Sequence, residues 1–159
     1  MNTSIRAIAA AALALAATSG FAASDTATLN VTASVAAVCK LTLSGDMAFG
    51  ALDPTLTTNA TASVTASYKC TKGTPVTSFT VNSTTTGSYA GSMSGATAGN
   101  TDAIPYTITW TNPTAYTGAG LGATITAKSV TLSGTVTNAN YVNVTPDSYS
   151  GSVGVAVNY

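Results

Sequence analysis

The chain of 159 residues contains no histidine, and no glutamate occurs anywhere in it. Without an imidazole, neither a Ser–His nor a Cys–His nucleophile pair can be assembled. Two cysteines and no histidine leave too few ligands for a zinc site, so neither a metal nor a cofactor is expected. Charge is scarce as well: only 6 % of residues are Asp, Glu, Lys or Arg, against about 25 % in ordinary domains. Five cations balance five anions. That balance offers no electrostatic footprint for nucleic acid and no basic patch for anionic lipid. The five carboxylates are Asp25, Asp46, Asp53, Asp102 and Asp147. They are scattered, mostly beside Gly, Pro or Ser, which reads as turn chemistry rather than acid–base catalysis. No enzyme is expected.

What is present points to export and to β-structure. Met1-Asn2-Thr3-Ser4-Ile5-Arg6 is a short positive start, and Ala7 to Thr18 is an apolar run too short to span a bilayer. Gly20-Phe21-Ala22 comes next with small residues, so residues 1–23 read as a secretory signal cleaved after Ala22 or Ala23. The remainder carries Lys40, Lys69, Lys72 and Lys128 against the five aspartates, a net charge of −1. Its polar residues are chiefly Thr, Ser and Asn, a surface that repels its own copies weakly. Thr and Val favour strands. In a secreted chain, Cys39 and Cys70 read as one disulfide. The loop of about 32 residues that it closes corresponds to roughly 3–4 kcal/mol in the chain-entropy model.

Short alternating runs separated by turn residues recur along the chain. Val64, Ala66 and Tyr68 alternate with Thr65 and Ser67 up to Cys70. Phe79 and Val81 anchor another run, and Val130, Leu132, Gly134 and Val136 a further one. Ile104, Tyr106, Ile108 and Trp110 form the most amphipathic strand, with Trp110 expected in the core. Residues 83–101 read as a loop or a poorly anchored hairpin, and Gly118 to Gly122 as a flexible link. Seven or eight short strands with turns every eight to twelve residues are the pattern of an all-β sandwich.

Thr26 to Val35 alternates without a fault, which puts Ala27, Leu29, Val31, Ala33 and Val35 on one face of an extended strand. No hairpin turn joins this strand to the body of the chain. At the other end, Val153, Val155, Val157 and Tyr159 share one face of a final strand. The chain therefore divides into residues 1–23, an N-terminal strand segment at 24–38, and a β-domain at 39–159.

Four places together resemble the spore coat protein U domain family, which includes the pilins of archaic chaperone–usher pili. They are the signal followed by strand 26–35 and Cys39, then Phe49-Gly50-Ala51-Leu52, then Ser63 to Thr71 running through Cys70, and the tail Tyr149 to Tyr159. The resemblance implies an incomplete immunoglobulin-like sandwich whose missing strand is donated by a neighbour. In that scheme Ala27, Leu29, Val31, Ala33 and Val35 plug the neighbour's groove. Val153, Val155, Val157 and Tyr159 line the acceptor edge, which a periplasmic chaperone covers first. An outer-membrane usher then assembles copies into a fibre on the surface of a Gram-negative cell, for adhesion or biofilm formation. A spore or cyst coat built on the same domain is the near alternative. Two other classes fit the alternation: a small outer-membrane β-barrel ending on Tyr159, and a monomeric binding module with 26–35 folded into its own sheet.

Overall fold

The computed structural model describes residues 24–159, so the signal reading of residues 1–23 lies outside the described residues. The chain divides into two units, one ending at Ser34 and one running from Val35 to Tyr159. No strand is formed over residues 24–34, although the alternation there is faultless. A strand is held by its ladder, and amphipathic spacing alone supplies no partner.

The second unit is all-β. Its spine is β2 (Ala60–Cys70), where Val64, Ala66, Tyr68 and Cys70 point into the core and the residues between them point out. On one side β2 pairs with β1 (Cys39–Leu43), and on the other with β8 (Lys128–Val136). Beyond β8 come β6 (Ala103–Thr109), β5 (Ser88–Gly95) and the two-residue β9 (Tyr149–Ser150). The resulting sheet has the order β1-β2-β8-β6-β5-β9, antiparallel throughout. Two short ladders complete the sandwich-like arrangement: β4 (Ser78–Val81) with β10 (Val155–Asn158), and β3 (Pro75–Val76) with β7 (Tyr116–Thr117). Their apolar residues Val76, Phe79 and Val81 join Tyr68, Ile104, Ile108, Leu132 and Val136 in one core. The rings of Tyr68 and Phe79 stack across it with centroids 6.4 Å apart. Trp110 is buried, as its place in the alternation predicts.

The Cys39–Cys70 disulfide is formed, and its two cysteines are also register partners in the β1–β2 ladder. It fastens the first residue of β1 to the last residue of β2.

Two further segments differ from the sequence reading. Residues 88–95, expected within a loop or weak hairpin, form the eight-residue β5 inside the large sheet. Its inward positions are Tyr89, Gly91, Met93 and Gly95, so half of the apolar signal is missing. The glycine at position 91 is required by packing: a Cβ there would stand 2.6 Å from the Tyr106 hydroxyl. Gly118 to Gly122 is pinned rather than flexible. Gly118 N–H donates to the Thr74 carbonyl, its own carbonyl accepts from Gly73 N–H, and Gly120 N–H donates to the Cys70 carbonyl.

A Cβ on Gly118 would stand 2.7 Å from the Cys70 carbonyl oxygen and press on that of Thr71. Backbone cannot swing aside as a side chain does. Gly118→Ala is therefore expected to lower stability by about 1–3 kcal/mol in urea unfolding, whereas Gly122→Ala, with its nearest atom at 3.8 Å, stays near neutral. Replacing both cysteines by serine is expected to lower the unfolding free energy by roughly 3–4 kcal/mol in the same assay.

Candidate functional site: a free strand edge over an apolar cleft

The last strand is paired on one edge only. β10 and β4 form a two-stranded ladder with Val155 opposite Val81 and Val157 opposite Phe79. Asn82 N–H donates to the Gly154 carbonyl at 2.6 Å. Along an antiparallel strand, alternate residues turn their N–H and C=O to the same neighbour. Gly154, Ala156 and Asn158 therefore address β4, and Val155 and Val157 present their N–H and C=O to the opposite edge. Among the described residues, no second strand takes up those groups. The side chains of Val155 and Val157 point inward and are half-buried, and those of Ala156 and Asn158 point out.

Beside this edge lies a cleft of about 360 Å³. Val153 and Val155 form its rim, and its walls come from Val64, Val81, Ile108 and Leu132, with Met47 and Phe49 reaching across. A second cleft of about 620 Å³ shares Met47, Phe49 and Met93 and continues to Tyr141, Val144 and Pro146. Met47 and Phe49 come from the strandless stretch after β1. They settle over Gly134, where a Cβ would meet the Met47 sulfur and stand 2.9 Å from Phe49 Cζ. Gly134 is thus the seat of this wall, on the inward face of β8.

The expected site residues fall in different places. Val153 and Val155 line the first cleft, Val157 packs against the core beyond it, and Tyr159 is 52 % exposed. Ala27, Leu29, Val31, Ala33 and Val35 are all exposed, with the three large side chains at 85 %, 84 % and 84 %. The cleft-lining roles of Met47, Phe49 and Met93, and the seat that Gly134 gives the first two, escape sequence reasoning. Phe49 is visible there only as part of a family landmark, and Met47 and Met93 sit in stretches without clear alternation.

Chemically, the site can accept an extended chain: main-chain hydrogen bonds along β10 and apolar burial in the cleft. No group of three or more metal-ligating side chains occurs among the described residues. Among the described residues, one strongly tuned group lines the second cleft. Asp147 accepts hydrogen bonds from Asn100 Nδ2 at 2.8 Å, from Thr97 N–H and hydroxyl at 2.9 Å each, and from Ser148 N–H at 2.8 Å. These donors, Asn100 foremost, hold its carboxyl down from 3.8 to about 2. Asp102 is likewise lowered by the Thr145 hydroxyl and N–H.

A carboxyl lowered by folding adds stability above its unfolded value and loses it as pH falls through the folded one. For Asp147 that window runs from 3.8 down to about 2. Asp147→Asn should unfold at lower urea than the parent at neutral pH, and the gap between the two midpoints should close as pH is taken down to about 2.

A family model described as Spore Coat Protein U domain matches residues 25–156. No curated protein and no solved structure matches the chain. The match spans both the alternating segment from residue 25 and the β-domain as far as the first half of β10; the chain belongs to the Spore Coat Protein U domain family.

Proposed function

We propose that the protein is the structural subunit of a surface fibre, polymerising by strand exchange through residues 24–38. The observation that carries this reading is the free edge of β10 above an apolar cleft. An uncovered edge with an apolar trough beside it is a standing invitation to pair with another chain. The segment 26–35 has the matching form: ten residues of faultless alternation, with Leu29, Val31 and Val35 more than four-fifths exposed. In the fibre, Ala27, Leu29, Val31, Ala33 and Val35 of one copy fill the cleft of the next. Their main chain completes the ladder on Val155 and Val157. Each fully buried Leu or Val contributes about 1.5–3 kcal/mol, and Ala less. The sum makes dissociation very slow.

The same edge explains the rest of the route. Before assembly it is an aggregation hazard, so a periplasmic chaperone covers it, and an outer-membrane usher delivers the subunit to the surface of a Gram-negative cell. Adhesion or biofilm formation is the output. A spore or cyst coat would use the same exchange. A membrane barrel fits poorly: the sheet is open, with β1 and β9 at its edges, and the outward face of β2 and β8 carries Thr and Ser where lipid would require apolar side chains.

Deletion of residues 24–36, with a cognate chaperone and usher co-expressed, is expected to abolish fibres in electron micrographs and polymer ladders on unheated gels. The truncated subunit should remain soluble and chaperone-bound. Leu29→Asp/Val31→Asp should do the same without shortening the chain. Fibres that survive both changes would refute exchange through this segment. A truncated subunit that no longer folds with its chaperone would instead make the segment part of its own domain, and the monomeric module the better reading.

A further inference from the structure

The four lysines of residues 24–159 gather at one end of the sandwich. Lys40 stands opposite Lys69 in the β1–β2 ladder, and Lys128 stands opposite Tyr68 in the β2–β8 ladder. Lys72 lies in the turn just past Cys70. From there β2 runs back eleven residues to Ala60, a distance of about 33 Å at roughly 3.3 Å per residue.

Three carboxylates lie at or beyond that far end. The Asp53 carbonyl accepts from Leu56 N–H, and the Leu56 carbonyl accepts from Asn138, just past the end of β8 at Val136, the register partner of Ala60. Asp102 immediately precedes β6, whose later residue Thr107 is already level with Thr135 near the end of β8. Asp147 holds the turn after β5, through Thr97 and Asn100. Asp46 lies at the first cleft instead. Seven of the nine charged side chains in residues 24–159 thus occupy two opposite ends, sorted by sign. Among the lysines the placement is costly within one copy, since Lys40 and Lys69, directly opposed, repel each other.

The direction of β10 determines which ends meet between copies. Gly151, shortly before β10, packs on Ser92 and Met93 in β5, toward the aspartate end. Asn158, at its finish, accepts from Thr77 N–H, next to β3 and the Lys72 turn. Every ladder in the fold is antiparallel. A strand added antiparallel to β10 therefore finishes at the aspartate end. The body attached to it begins at Cys39, beside Lys40, with Val38 N–H tied to the Thr71 hydroxyl at 2.7 Å.

We infer that in a polymer of this chain the lysine end of each copy docks on the aspartate end of the next. This rests on the strand-exchange reading and adds that charge complementarity fixes the head-to-tail orientation and speeds encounter. The test monitors growth of purified mature subunit, refolded with its disulfide intact, by light scattering and unheated gel at low and high salt. Growth should slow by about tenfold or more at high salt, whereas burial of an apolar strand alone would not weaken with salt. Lys40→Glu/Lys72→Glu neutralises one end and leaves Lys69 on the Gly122 carbonyl and Lys128 over the Tyr116 ring. Thr101→Lys/Asn143→Lys/Ser148→Lys offsets the other end at exposed positions and leaves the hydrogen-bonded carboxylates in place. Each variant should grow slowly at low salt and show little further change at high salt. Growth of the unaltered subunit that is indifferent to salt, or of both variants at the parental rate, would overturn the inference. The strand-exchange reading fails separately, when Leu29→Asp/Val31→Asp subunits still polymerise.

Discussion

The structure turns on an imbalance in one strand. β10 has its inward valines in the core and one edge on β4, yet the N–H and C=O groups of Val155 and Val157 face away from any strand of the described fold. Burying such groups without partners is costly, and leaving them beside an apolar trough invites association. The cleft exists because the layer containing β10 is only two strands wide where the opposing sheet has six. Met47 and Phe49 cover part of that deficit from a stretch that forms no strand, seated over Gly134. The remainder stays open.

Much of this was legible in the sequence. The long alternations of 62–70, 104–110 and 130–136 announce β2, β6 and β8, because each buries one face against a continuous core. The disulfide was legible from an even pair of cysteines in a chain read as secreted. β5 was hidden because its partner Tyr106 needs the room at Gly91, and a strand with glycine at inward positions has little apolar signature. The pinning of Gly118 was hidden because it depends on hydrogen bonds with Gly73 and Thr74 and on close approach to the carbonyls of Cys70 and Thr71, all more than forty residues away in sequence. The sidedness of the candidate site was half legible. The alternation of 153–159 gives the inward face, but which edge is free depends on the phase set by Asn82 on Gly154, a contact no local pattern records.

The composition has a consequence of its own. With so few charges, the outward face of the large sheet is left to hydroxyls, with Thr61 opposite Thr135, Ser63 opposite Ser133 and Thr65 opposite Thr131. Such a face is wetted without being repulsive. It tolerates crowding by copies, which a strongly charged face would oppose.

The Cys39–Cys70 bond acquires a mechanical meaning once the segment before it is treated as a rope. Tension applied through residues 24–38 passes the hydrogen bonds of Ala36 and Val38 to Thr71 and then arrives at Cys39, the leading residue of a five-residue edge strand. Pulled alone, such a strand would unzip one pair at a time. The disulfide diverts the load across a covalent link to Cys70, and so into β2, the longest strand, flanked on both sides by ladders. Force then has to shear many hydrogen bonds at once instead of peeling them in sequence. The weakest element at the point of attachment is thereby taken out of the load path.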